Sequence, residues 1–320
     1  MKKKLLIIAA ANNFNFIRDI GEALREEFDV EFFPSDIHDA VAHRDTLYNK
    51  VRSADVVWLE WADGLPLQVL NSYSAKFILR IHRYELFKQR TLDAIATIDP
   101  SKVHKLLFVS DYVKQIGVAK FPWMERGVSI PNLIDVDKFP FHHRRRGYNL
   151  LLLGRISYVK NLPIALNFFS DLVWMNSHDP YHLHIVGDIS DPELFYYQDN
   201  FLKKAGIQDR VTFHGRIPNE DLPSIMNQMH YILSTSVFES QGVGILEAMA
   251  TGLKPVVYSF GGAESFFPEK YLFLNENEFF QRIVENYYIP AEYRHFVRER
   301  YSIMHNLWRY ADVIREVANG

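Results

Sequence analysis

The residues best placed to do chemistry lie in the run Phe238-Glu239-Ser240-Gln241-Gly242-Val243-Gly244-Ile245-Leu246-Glu247-Ala248-Met249-Ala250-Thr251-Gly252. A helix is predicted from about Val243 to Gly252, where a glycine suits a left-handed C-terminal position. Glu239 then sits in the loop before the helix and Glu247 on its second turn. Gly242 and Gly244 remove side-chain bulk at the helix N-terminus, where unpaired backbone N–H groups favour an anion such as phosphate. A second element is Gly154-Arg155-Ile156-Ser157-Tyr158-Val159-Lys160-Asn161. Gly154 permits a tight exit from a strand, and Arg155 and Lys160 place two cations on one loop. Two cations and a helix terminus suit a diphosphate, while the two acids suit hydroxyls. The chemistry indicated is recognition of a ligand with both groups. The plainer alternative is a buried helix with two surface glutamates and a solvated basic loop.

Short apolar runs alternate with amphipathic stretches and supply the scaffold for these groups. Strands are predicted at 5–10, 29–33, 56–61, 77–79 and 105–109, with helices over 17–27 and 111–120. Pro131 to Gly147, with Pro140 and the run His142-His143-Arg144-Arg145-Arg146, interrupts the alternation and reads as a linker. Strands resume at 148–153, 182–186, 211–213, 231–234 and 255–257. Strand–helix alternation on both sides of a linker predicts an α/β protein of two Rossmann-like, parallel-sheet domains. They are expected to face an interdomain cleft, where the strands' carboxyl ends bind ligands. The domains are placed at 1–140 and 141–302, followed by a C-terminal helix in 303–320.

Composition narrows the function. The chain has 320 residues, 36 Lys+Arg against 39 Asp+Glu, and no cysteine. Near-balanced charge argues against nucleic acid as the main partner. The lack of cysteine excludes disulfides, thiolate catalysis and cysteine-based metal sites, and it is compatible with the cytoplasm. The apolar run after Lys2-Lys3-Lys4 reads as a buried first strand rather than a secretory leader. Two segments raise peripheral contact with the inner face of the membrane. They are the basic run 142–146, otherwise a solvated linker, and Phe121-Pro122-Trp123-Met124, otherwise a packed loop.

Taken jointly, these motifs resemble the retaining nucleotide-sugar glycosyltransferases of family 4, the glycosyl transferases group 1, with the GT-B fold. Glu239 and Glu247 resemble that family's Glu-x7-Glu motif, and Gly154-Arg155 with Lys160-Asn161 its basic loop. Weaker likenesses are Pro131-Asn132-Leu133-Ile134-Asp135, Val186-Gly187-Asp188, Val211-Thr212-Phe213-His214-Gly215 and Gly261-Gly262-Ala263-Glu264, so the resemblance covers about residues 105–265.

The resemblance implies a donor held mainly by the second domain, and a C-terminal helix, 303–320, that packs back on the first. Arg155 and Lys160 would grip its diphosphate, and Glu247 the ribose hydroxyls. Glu239 would stand near the sugar, and Val243 and Gly244 would offer backbone N–H groups. The turn at Gly215-Arg216-Ile217 would lie near the base. His82 would be the family's strand-end histidine near the donor sugar; a structural histidine is the alternative. The donor would be a UDP-, GDP- or ADP-sugar and the acceptor a glycan or lipid-linked glycoconjugate. No metal or other cofactor is expected, and Asp135-Val136-Asp137 is read as part of the linker. A hydrolase or epimerase of nucleotide sugars, or a binding module without catalysis, are the alternative functions. The chain departs from the family after its first strand, where Ala11-Asn12-Asn13 replaces a glycine pair. Ser110 and Asp111 read as helix-capping residues.

Overall fold

The computed structural model describes residues 2–34 and 44–320. Contacts divide the chain into two units, Met1–Ile134 with Tyr301–Gly320, and Asp135–Arg300. Both are α/β, each built on a six-stranded parallel sheet.

The first sheet comprises β1 (Lys4–Ala9), β2 (Asp29–Phe33), β3 (Val56–Glu60), β4 (Phe77–Ile81), β5 (Val103–Phe108) and β6 (Val128–Ser129), in the order β2-β1-β3-β4-β5-β6. Side-chain parity divides its residues between two cores. Leu5, Ile7, Trp58 and Ile78 pack on one face, and Leu6, Ile8, Leu59 and Leu79 on the other. Burial on both faces explains why these strands read as continuous apolar runs. The helix Trp308–Asn319 belongs to the first of these cores. Tyr310 stacks on Trp58 with ring centroids 5.7 Å apart, and its hydroxyl donates to the Pro131 carbonyl at 3.0 Å.

The second sheet comprises β7 (Asn149–Leu153), β8 (His182–Val186), β9 (Val211–Gly215), β10 (Tyr231–Ser234), β11 (Lys254–Tyr258) and β12 (Leu272–Phe273), in the order β12-β11-β10-β7-β8-β9. Strand order reverses between β1 and β3 in the first sheet and between β7 and β10 in the second. Loops leaving the two strands at such a point diverge to opposite faces and open a crevice at the carboxyl ends.

The strands read from the sequence are present. β6 and β12, of two residues each, lie below the length at which periodicity registers. Ser110 caps the helix Asp111–Lys120, accepting from the Val113 N–H at 3.2 Å.

The segment 131–147 differs from a solvated linker. Ile134 donates its N–H to the Tyr301 carbonyl at 2.7 Å within the first unit. Beyond it the chain is fastened to the second unit. Arg144 donates to the Met226, Met229 and Thr251 carbonyls, and Arg294 donates to the Phe139 carbonyl at 2.7 Å. The Arg144 guanidinium is committed to backbone, while His142 and His143 are exposed. In the segment 121–124, Met124 is fully buried, and Phe121 and Trp123 pack on the first unit's core. The packed-loop reading therefore holds there. No described helix is long and apolar enough to cross a membrane.

Candidate functional site

In the second unit the reversal point between β7 and β10 gathers the loops that carry Lys160 and Glu239. Gly154, directly after β7, has φ +122, and a Cβ there would meet the Lys160 side chain at 3.0 Å. The loop after β8 presses against it from beneath. Gly187 has φ +138, and a Cβ on it would lie 2.0 Å from the Gly154 carbonyl oxygen. Only glycine permits that backbone-on-backbone approach. The Gly154 N–H donates to the Val186 carbonyl at 2.9 Å and the Ile156 N–H to the Asp188 carbonyl at 2.8 Å, fixing the loop's course.

That course brings Lys160 to Glu239. Lys160 Nζ stands 2.6 Å from Glu239 Oε1, with both side chains mostly shielded from solvent. The same oxygen accepts from Ser236 Oγ at 2.8 Å. The Thr235 hydroxyl donates to the Lys160 carbonyl at 2.8 Å, and the Val237 N–H to the Val159 carbonyl at 2.9 Å. Thr235 and Val237 thus tie the loop after β10 to the loop after β7, while Ser236 orients Glu239 within its own loop.

The helix after Gly242 runs from Val243 to Ala250, beginning where the sequence predicts and stopping just before Gly252, which has φ +96. Gly242 itself has φ +81. The first N–H groups to return to its carbonyl are those of Ile245 and Leu246, so Val243 and Gly244 have no intrahelical acceptor. A small pocket is lined by Lys160, Ser236, Glu239, Gly242, Val243 and Gly244. Helical side chains lean toward the N-terminus. Glu247 accordingly reaches back over Gly244, with Oε2 4.0 Å from where a Gly244 Cβ would stand.

Two cations, two carboxylates and a helix N-terminus were suggested by the sequence. The pocket holds one cation, one carboxylate and the N-terminus, with Glu247 beside Gly244. Arg155 is exposed and is not among the pocket's lining residues. Gly215, the last residue of β9, has φ +64 with open space around it, and Ile217, two residues beyond the strand, is half-buried. Sequence reasoning missed Ser236, Thr235 and the steric role of Gly187. The cluster Ser234-Thr235-Ser236 at a strand's carboxyl end was the available signal.

His82 belongs to the first unit, next after β4, and is 3% exposed. Its Nε2 pairs with Glu60 Oε1 at 2.6 Å, and its ring stacks on Trp61 with centroids 3.9 Å apart. Glu60 Oε2 accepts from Trp58 Nε1 at 2.7 Å, and Arg80 Nη2 donates to Asn132 Oδ1 at 2.6 Å. Burial alone would raise the Glu60 carboxyl, but Arg80, His82 and Trp58 outweigh it and hold the group below its usual range. Burial lowers His82 despite Glu60, so its imidazole is neutral at pH 7. Burial also pushes Glu85 up to about 8, although its oxygens accept from the backbone N–H groups of Ala62 and His82.

Backbone strain collects beside this cluster. Trp61 has φ +76, and Ala11 and Asn12, in the stretch that departs from the family pattern, have φ +50 and +54. Left-handed conformations of bulky residues persist only where the surroundings enforce them. Of this network only His82 was legible in the sequence, because its partners converge from β3, β4 and residue 132.

Among the described residues no group of three His, Asp or Glu side chains is arranged to hold a metal ion.

Residues 135–280 match the family model described as Glycosyl transferases group 1. Over 194 residues the chain is 30% identical to mannosylfructose-phosphate synthase of Agrobacterium fabrum, a match covering 56% of this chain and 40% of that protein. Over 110 residues it is 37% identical to 2-deoxystreptamine glucosyltransferase of Streptomyces kanamyceticus, covering 34% and 27%. The chain therefore aligns with less than half the length of these relatives. Among solved structures it resembles Anabaena HepE in complex with UDP and glucose, with a TM-score of 0.78 at 16% identity, covering 98% of this chain and all of that one. At that identity the likeness concerns the fold, which is GT-B.

Proposed function

We propose that this chain, a member of the glycosyl transferases group 1 family, moves a sugar from a nucleotide-diphospho-sugar to a glycan, glycolipid or other glycoconjugate acceptor, with retention at the anomeric carbon and without a metal ion. The observation that carries the proposal is the Lys160–Glu239 pair beside the free N–H groups of Val243 and Gly244. A diphosphate and a sugar hydroxyl are the ligand groups that such a cation, carboxylate and helix terminus recognise.

In the proposed reaction the bond between the anomeric carbon and the diphosphate oxygen breaks, and the electron pair leaves with the phosphate. Lys160, Arg155 and the N–H groups of Val243 and Gly244 offset the growing negative charge. The acceptor hydroxyl attacks from the same face and gives its proton to the departing phosphate oxygen. Glu239 holds the donor sugar, Glu247 the ribose, and the turn Gly215–Ile217 lies along the base. His82, neutral and bonded to Glu60, serves as a fixed hydrogen-bonding group rather than a general base. UDP-sugars are the first donors to try, since the HepE complex contains UDP. A lipid-linked acceptor would bring the chain to the inner face of the membrane, which vesicle flotation tests.

The deciding experiment is a thermal-shift screen of UDP-, GDP- and ADP-sugars, because a ligand of the native state raises its stability. The donor found is then used in a transfer assay, with product configuration read by NMR. Silence with every donor, an inverted product, or loss of transfer with a chelator would each overturn part of the proposal.

A further inference from the structure

Three histidines stand on one face of the second sheet, at its β8–β9 edge. Leu183 and Ile185 of β8 point into the core, so His182 and His184 share the opposite, half-exposed face. The ladder shifts between Ile185 and Val186: Ile185 pairs with Phe213 but Val186 with Gly215. His214 is thus the extra residue of a bulge, a device that re-aims a side chain. Its Nε2 comes to 3.0 Å from His184 Nδ1. His182 lies against His184 with centroids 4.6 Å apart and the rings tilted by 38°, and its Nε2 is held by the Thr212 hydroxyl at 2.8 Å.

We propose that His184 Nδ1 and His214 Nε2 form a two-ligand site for a divalent d-block cation such as Zn²⁺ or Ni²⁺, with water completing the coordination. Two imidazole nitrogens on a tetrahedral zinc, each about 2.0–2.1 Å from it, lie about 3.3 Å apart. The present 3.0 Å separation is close to that, and each ring must turn by about 35° for its lone pair to leave the N···N line and point at the ion. In the hydrogen-bonded pair one nitrogen carries the shared proton. On metal binding that proton moves to the other nitrogen of the same ring, so both rings remain neutral and no proton is lost. Imidazole donors select zinc, nickel or copper over magnesium or calcium. The ion would tie β8 to the edge strand β9 one residue before Gly215. The site is independent of the donor assignment.

The test is a thermal-shift titration of the full chain with Zn²⁺ and Ni²⁺, with Mg²⁺ as control. A saturable rise at sub-millimolar Zn²⁺ is expected, absent with Mg²⁺ and lost in His214→Gln and His184→Gln. If His184→Gln fails to fold, His214→Gln decides alone, since its side chain lies in the half-exposed bulge. No saturable rise, or a rise that survives His214→Gln, overturns the site. So does a rise lost only in a His142→Gln/His143→Gln double variant, which would assign the metal to that exposed pair.

Discussion

Lys160 Nζ lies 2.6 Å from Glu239 Oε1, so two residues expected to hold different parts of one ligand hold each other. A phosphate that takes Lys160 must draw it from Glu239. Glu239 keeps the Ser236 hydroxyl on that oxygen, and a sugar hydroxyl replaces the donor that Lys160 withdraws, which a bare nucleoside diphosphate does not. A donor-site competition of this kind favours the nucleotide sugar over its own product. Glu239→Gln is expected to tighten binding of the nucleoside diphosphate severalfold while lowering transfer by orders of magnitude. Lys160→Ala is expected to weaken that binding about 10- to 100-fold, the usual worth of a hydrogen bond to a charged group. Calorimetric titration with the active nucleotide separates the two. Equal weakening in both variants would refute the competition.

Gly187 is the backbone contact on which the Lys160 loop rests. In Gly187→Ala the new Cβ would lie 2.0 Å from the Gly154 carbonyl oxygen, at a φ of +138. The loop must move or the sheet edge must open, at a cost of about 3 kcal/mol or more. A lower melting temperature with donor affinity lost is the expected result. Near wild-type values of both would show that the contact is not needed.

Glu85 gives a pH signature. Its carboxyl is pushed up to about 8 in the fold, against an ordinary value of 4.5. Between these values the folded chain keeps a proton that the unfolded chain releases. This group therefore lowers stability as pH rises through that window, by up to about 1.4 kcal/mol per pH unit. Denaturant melts at several pH values should show the decline, and Glu85→Gln should flatten it. An unchanged slope in the variant would place the proton elsewhere.

Tyr310 fastens the last helix to the first unit through Trp58 and the Pro131 carbonyl. Tyr310→Phe removes one hydrogen bond and is expected to cost about 1 kcal/mol. Tyr310→Ala also empties a fully buried ring site and should cost about 3–5 kcal/mol. Chemical denaturation measures both, and similar small losses would contradict the packing.

The helix Val243–Ala250 and the strands were legible because their signals are local: periodicity, a C-terminal glycine and runs buried on both faces. The Lys160–Glu239 pair was legible only as two separate motifs, since their meeting depends on β7 and β10 being neighbours. Arg144 looked like part of a solvated basic run. Its partners are backbone carbonyls at 226, 229 and 251, which no composition can announce. His82 was visible as a strand-end residue, but Glu60, Arg80 and Asn132 come to it from distant positions.

The first unit is completed by residues 301–320, which follow the whole of the second unit in the chain. During synthesis the first 134 residues must therefore wait, with the Trp58 face of their sheet covered only by residues such as Ile17, Ile20 and Leu24, until the ribosome has released residues beyond 301. The contiguous second unit can close earlier. The order of folding is thereby set against the order of translation, and that partly covered face is where a nascent chain of this protein would need chaperone protection.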